Sequence, residues 1–132
     1  MKNLKFDVFK EKTGTLIPFY NNDHYKNFKL KRFFFVYGKT KYFRANHAHK
    51  KCNQILIPIN GKIKVEITNL KKIKKICFLS LKNKQFLYVP KKNWIRLSFY
   101  EKNPILLILC DYKYDKSEYI QSKEEFFKFS KK

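Results

Sequence analysis

His47-Ala48-His49 is the tripeptide of this 132-residue chain best suited to chemistry. On a β-strand, side chains two positions apart point the same way, with their Cα atoms about 6.5–7 Å apart. Two imidazoles then face one cavity. A histidine, with an ordinary pKa of about 6.5, accepts and returns a proton near neutral pH. Two on one face allow one to move a carbon-bound proton while the other handles oxygen-bound ones. Arg44 stands just before the pair, and Arg32 leads an aromatic run; a fixed guanidinium of this kind can hold developing negative charge. Other chemistries lack their parts. Cys52, Cys77 and Cys110 are odd in number and form no CxxC, which reads as reduced thiols rather than a disulfide framework or a zinc knuckle. No glycine-rich dinucleotide fingerprint is present.

The elements that must position these groups read as strands almost throughout. Arg32 to Tyr37, Gln54 to Ile57, Lys62 to Thr68, Ile76 to Leu79, Gln85 to Val89 and Leu106 to Leu109 are short runs, several of them β-branched or aromatic. Ile63, Val65 and Ile67 alternate with Lys62, Lys64 and Glu66, the pattern of a strand with one buried face. Asn60-Gly61 lies between two such runs and predicts a tight hairpin turn. Many short strands at roughly ten-residue spacing mean a sandwich or barrel. Only the end looks helical: Ser122-Lys123-Glu124-Glu125 fits a capping box, Phe126 and Phe127 would dock on the barrel, and Lys128, Lys131 and Lys132 suit the negative end of the helix dipole.

Composition bounds the answer. The hydrophobic share of 44% supports one packed core, and no linker or repeat divides the chain, so residues 1–132 are expected to form a single domain. No apolar run approaches the ~18 residues of a membrane span, and the segment from Met1 to Lys5 lacks an apolar signal region; the expected compartment is the cytoplasm. The 31 basic residues outnumber the 10 acidic ones, for a net charge of +21. A polyanion partner is one reading of that excess. Only Arg32, Arg44 and Arg96 are arginines, however, and the lysines are scattered through every segment rather than gathered in a stripe. Compositional drift is the simpler account, so neither nucleic acid nor a membrane is expected as partner.

The spacing from His47-x-His49 to Gln54 and then Gly61 resembles the first cupin motif, which has a glutamate where this chain has Gln54. Pro90 matches the proline of the second motif, but Lys92 and Ile95 replace its glycine and histidine. The resemblance implies an all-β cupin jelly-roll barrel with, here, a short C-terminal helix. The typical metal site of that family uses two His, a Glu and a third His; here Gln54 and Ile95 take two of those places, and because two imidazoles and an amide make a poor divalent-metal set, a metal-free site is expected.

A closer resemblance spans nearly the whole chain. Thr13-Gly14-Thr15-Leu16, Lys31-Arg32, Arg44-Ala45-Asn46-His47-Ala48-His49-Lys50, Tyr88-Val89-Pro90 with Trp94, and Tyr114-Asp115-Lys116-Ser117-Glu118-Tyr119-Ile120 occur in order. Together they resemble the sugar-nucleotide 3,4-ketoisomerases, small cupins acting on dTDP-4-keto-6-deoxy-D-glucose. That implies a dTDP-linked 4-keto-6-deoxy sugar as partner, no cofactor, a homodimer with exchanged strands, and products feeding an aminotransferase that makes 3-amino-3,6-dideoxyhexoses for surface glycans.

The resemblance further implies His47, His49 and Arg44 as the catalytic set, with His47 as the carbon-proton base. Arg32 either binds the pyrophosphate or makes a strand-edge salt bridge; Tyr88 and Trp94 either stack on thymine or sugar or belong to the core. Gln54 and Tyr37 complete the expected substrate contacts. The family's tyrosine two residues after Lys31-Arg32 is here Phe34, a hydroxyl that Tyr37 or water would replace. Thr13 and Ile95 match neither family branch at the two positions that track the C4 configuration of the product. Asp115, Glu118 and Tyr119 are expected to fix the C-terminal segment rather than to do chemistry. The competing functions are a cupin 3,5-epimerase on the same kind of substrate and a basic binding module without catalysis.

Overall fold

The computed structural model describes residues 2–20 and 27–129; Lys131 and Lys132, expected at the helix end, lie outside them. Ten strands run in the order β1 (Lys2–Lys5), β2 (Phe9–Glu11), β3 (Gly14–Leu16), β4 (Arg32–Tyr37), β5 (Phe43–His49), β6 (Gln54–Thr68), β7 (Lys74–Ser80), β8 (Gln85–Val89), β9 (Trp94–Cys110) and β10 (Tyr119–Ile120), before helix α1 (Lys123–Lys128).

Two strands are long enough to serve two layers. The first half of β6 pairs with β8 and with the second half of β9, which also pairs with β4. The second half of β6 pairs with β7 and with the first half of β9, which also pairs with β5. The result is a jelly roll of two facing layers, β1-β8-β6-β9-β4 and β7-β6-β9-β5-β10. Side chains pointing between the layers form the main core, among them Leu56, Leu87, Leu106 and Ile108 from one and Ile63, Val65, Leu79, Leu97 and Phe99 from the other.

Asn60-Gly61 does not make the expected hairpin. Both flanking runs pair with the same strand, Pro58 with Leu106 and Lys62 with Tyr100, so the dipeptide is the corner at which β6 bends from one layer to the other. The register shifts there are bulges, the usual means of turning a strand through a barrel corner. Gly61 is required: its φ is +73°, and a Cβ would lie 2.9 Å from the Pro104 Cα.

The remaining layers follow the alternation. Ile55, Ile57, Phe86 and Leu109 point outward from the first layer and are covered by Phe6, Phe19 and Phe28. On the second layer Ala48, Trp94 and Ile120 are covered by Phe126 of α1. Ser122 caps that helix as expected, its hydroxyl accepting from the Glu125 amide at 3.1 Å. Among the described residues no helix is long and apolar enough to cross a membrane.

Candidate active site

The site lies where β4 and β5 face each other across the open edge of the roll. A cavity of about 90 Å³ is lined there by Phe34, Val36, Gln54 and Ile108 from one layer and by Arg44, His47, Ile95 and Leu97 from the other, with Tyr119 of β10 beside them.

Strict alternation cannot bring Arg44 and His47 together, because three positions separate opposite faces of a strand. The chain solves this with a bulge. Arg44 pairs with Leu97 and His47 with Ile95, both inward-facing residues of β9, and the register slips between Ala45 and His47. Ala45 and Asn46 take left-handed backbone angles, φ 67° and 59°. Such angles cost an alanine roughly 1–2 kcal/mol, a strain of the sort kept where a side chain must be re-aimed. The Trp94 indole N–H, donating to Asn46 Oδ1 at 3.3 Å, holds the bulge from behind.

The two imidazoles stand edge to face, their centroids 4.9 Å apart. Only one has a carboxylate. His49 Nδ1 bonds to Glu118 Oε1, and the other Glu118 oxygen accepts the amides of Lys51 at 3.2 Å and Cys52 at 3.3 Å. Glu118 and His49 are buried, 2% and 4% exposed. An ionised carboxylate only accepts hydrogen bonds, so the ring proton sits on Nδ1 and the Nε2 lone pair faces away from the acid. That Nε2 is buried with no hydrogen-bond partner among the described residues. Burial holds His49 below the ordinary imidazole pKa despite Glu118, and burial with the neighbouring His49 brings His47 down to about 4. Both rings are therefore neutral bases at pH 7.

The other expected residues divide. Gln54 is buried in the cavity wall, its amide donating to Cys110 Sγ at 3.5 Å. Arg32 faces the same interior and donates from Nη2 to the Tyr119 hydroxyl at 3.2 Å. Arg44 is exposed and lines both the cavity and the outer groove of Tyr37, Lys39, Tyr42 and Phe43. Three of the residues considered as contacts lie outside this cavity, and for Tyr88 and Trp94 the core alternative is the one the packing supports. Tyr37 lies on the outward side of β4, 73% exposed and outside the cavity, because it is odd-numbered along a strand whose even positions Arg32, Phe34 and Val36 face in. Tyr88 points outward between the inward Leu87 and Val89 and packs with Ile55 and Phe86. Trp94 is core, 3% exposed beneath Phe126.

His49, Cys52 and Glu118 bring potential metal-ligand atoms within 4.8 Å of one another. The donor set is unsuited to a metal. Glu118's oxygens are committed to His49 and two amides, and the hydrogen bond with Cys110, then burial, push the Cys52 thiol up, away from the thiolate a metal needs.

Sequence reasoning missed Glu118's contact with the histidine. It is 69 positions from His49, and no spacing rule connects them. Its expected anchoring role also holds: through the two amides it ties the turn after β5 to the C-terminal segment, where Asp115 caps the short 3₁₀ turn at Lys116–Glu118.

Comparison with known proteins decides the family. The family described as "FdtA: WxcM-like, C-terminal" matches residues 1–131. The chain belongs to that family. A TDP-4-oxo-6-deoxy-alpha-D-glucose-3,4-oxoisomerase from Aneurinibacillus thermoaerophilus is 26% identical over 129 residues, covering 97% of this chain and 91% of the relative. Among solved structures, the sugar 3,4-ketoisomerase QdtA from Thermoanaerobacterium thermosaccharolyticum, in complex with TDP, superposes with a TM-score of 0.87 at 27% identity, over 98% of this chain and 93% of that one. A 3,4-ketoisomerase from Helicobacter canadensis gives a TM-score of 0.89 at 28% identity, over 99% and 97%.

Proposed function

We propose that this protein is a sugar-nucleotide 3,4-ketoisomerase that moves the ketone of dTDP-4-keto-6-deoxy-D-glucose from C4 to C3. The observation that carries the reading is the His49–Glu118 pair, whose ring packs against His47 and Tyr119, the two aromatic groups of β5 and β10 that line the cavity. The matched relative and both solved structures are ketoisomerases or oxoisomerases of this kind.

The reaction needs a base at the C3 proton, which is acidified by the adjacent carbonyl, and a proton delivered to C4 through an enediol or enediolate. His49 is the better base of the two, because its carboxylate orients the ring and stabilises the imidazolium that forms. His47, neutral and against His49, suits hydrogen bonding to substrate oxygens. Arg44 at the mouth is placed for a phosphate or the sugar edge. The small cavity suits the sugar ring alone, leaving the nucleotide at the rim. The ketone product would be the acceptor for an aminotransferase making a 3-amino-3,6-dideoxy sugar.

A homodimer with exchanged strands belongs to the same proposal. Phe33, Phe35 and Tyr37 leave an apolar stripe on β4 that is 58%, 51% and 73% exposed. Among the described residues the hairpin of β2 and β3 pairs with no other strand, and Phe9 and Leu16 on it are 52% and 60% exposed. A two-stranded hairpin is marginal alone, and an apolar stripe of this kind favours association. Light scattering should give twice the 16.2 kDa chain mass. The three free cysteines suit a reducing cytoplasm.

The test is incubation with dTDP-4-keto-6-deoxyglucose in D2O, followed by NMR. Migration of the ketone to C3, lost in His49→Asn, supports the reading. An unchanged substrate, or an active His49→Asn variant, overturns it.

A further inference from the structure

The polar side chains that line the cavity are Arg44 and His47 from β5, Gln54 from β6 and Tyr119 from β10. The bulge of β5 aims the first two, and Arg32 holds the hydroxyl of Tyr119. Gln54 is held by a buried cysteine that takes no part in the proton transfers. We propose that Cys110 is a positioning residue for the reaction, its sulfur holding the Gln54 amide so that the amide oxygen faces the substrate as an acceptor; this rests on the ketoisomerase reading above.

The strand register puts the sulfur in place. Cys110 of β9 pairs with Arg32 on one side and with Gln54 on the other, and directly opposite side chains share a face. Both neighbours donate to it, Gln54 Nε2 at 3.5 Å and Arg32 Nη2 at 3.7 Å. Cys110 is fully buried, so water does not compete for the sulfur. An amide whose nitrogen is committed to one partner points its oxygen elsewhere. Among the described residues no donor reaches that oxygen, and Gln54 lines the cavity, which leaves an acceptor for a sugar hydroxyl.

Arg32 decides that the sulfur accepts. A neutral thiol could donate to the amide oxygen, and Gln54 would then turn over and present its NH₂ to the cavity. Arg32 has no carboxylate partner among the described residues. It lies between the rings of Phe34 and Tyr114, 5.3 and 5.5 Å from their centroids, and donates to Cys110 and Tyr119. Burial raises the Tyr119 phenol, whereas hydrogen bonds from Cys52, then from Gln54 and Arg32, hold the Cys110 thiol below its ordinary pKa against burial. The countercharge of Arg32 therefore falls on the sulfur. A thiolate has no proton to give, and Gln54 is fixed in the accepting orientation. The histidines keep the proton transfers; Gln54 orients a hydroxyl and moves no proton.

A double-mutant cycle in the full chain, with dTDP-4-keto-6-deoxyglucose as substrate, tests this. Cys110→Ala should lower kcat by about 10–10²-fold, the scale of a misaimed group beside the chemistry, with the thermal melt nearly unchanged. Cys110→Ser keeps an acceptor for Gln54 and should recover to within about fivefold of the parent. In the Gln54→Leu background, Cys110→Ala should cost no more than about twofold, because no amide is left to aim. An equal loss in both backgrounds would mean that the sulfur acts by packing alone and would overturn the proposal, as would a folded Cys110→Ala variant with the parent kcat. Cys110→Val is the second apolar replacement and enters the same cycle if alanine disturbs the melt. The two readings fail separately: a parent that leaves the substrate unchanged sinks the ketoisomerase site itself, whereas an active parent with an additive cycle removes only the role of Cys110.

Discussion

Glu118→Gln removes one charge from the interior while keeping the shape of the side chain, and its effect on the neighbouring histidine can be worked out bond by bond. Glu118 serves His49 Nδ1 with one oxygen and the amides of Lys51 and Cys52 with the other. Glutamine has a single acceptor oxygen. If that oxygen faced the histidine, its NH₂ would confront two buried backbone N–H groups, and each lost bond would cost about 1–3 kcal/mol. The oxygen therefore stays with the amides and the NH₂ donates to Nδ1. Nδ1 must then be the acceptor, so the ring proton moves to Nε2. The Nε2 lone pair that would act as base is replaced by a donor. An amide in place of a carboxylate behind a catalytic histidine lowers kcat on the order of 10⁴-fold by this route. Because the hydrogen bonds are kept, Tm should shift by only a few degrees, about 1 kcal/mol or less. Proton NMR of ketone migration under saturating substrate measures kcat, with a thermal melt as the control. A variant within tenfold of the parent kcat and with an intact melt would refute the assignment of His49 as base.

Other perturbations have equally definite outcomes. The depressed His47 pKa, about 4 against 6.5 in the unfolded chain, means the unfolded state binds more protons between those values. Stability should therefore be fully present above pH 6.5 and fall by up to about 3 kcal/mol as pH drops toward 4; urea titrations of His47→Asn should show a flatter slope in that window. Glu66 is held at about 2 by Arg96, 2.5 Å away, and Lys74 at 3.1 Å, so its contribution is present above pH 4.5 and lost below. Glu66→Gln should cost about 1–3 kcal/mol at pH 7 and remove part of the acid-side decline. Trp94→Phe should leave dTDP affinity unchanged in calorimetry while lowering kcat, because it frees the Asn46 bulge that aims His47 rather than removing a stacking surface. Phe126→Ala, emptying a fully buried site beneath α1, should destabilise by about 3–5 kcal/mol in urea unfolding.

What the residues determined by themselves was local. The histidine pair needed only the two-residue period of a strand to share a face. The alternation at Ile63, Val65 and Ile67 needed only a buried side, and Ser122 with Glu125 marked a helix start through bonds spanning one turn. The motif spacing carried the family because short blocks in a fixed order are a property of the chain. Tertiary structure decided everything that depends on two distant segments or on a break in the period. Arg44 and His47 meet because a bulge adds one residue between them, and nothing in Arg-Ala-Asn-His announces it. Asn60-Gly61 reads identically in a hairpin and in a barrel corner; the choice belongs to β9, which pairs with both flanks. Tyr37 and Trp94 are aromatic residues of strands, and only the register of β4 and β9 fixes which face each takes. Glu118 finds His49 because β10 pairs with β5, a contact across 69 residues whose reward is a buried carboxylate fully hydrogen-bonded. Local pattern can place a base on a strand; only packing can put an acid behind it.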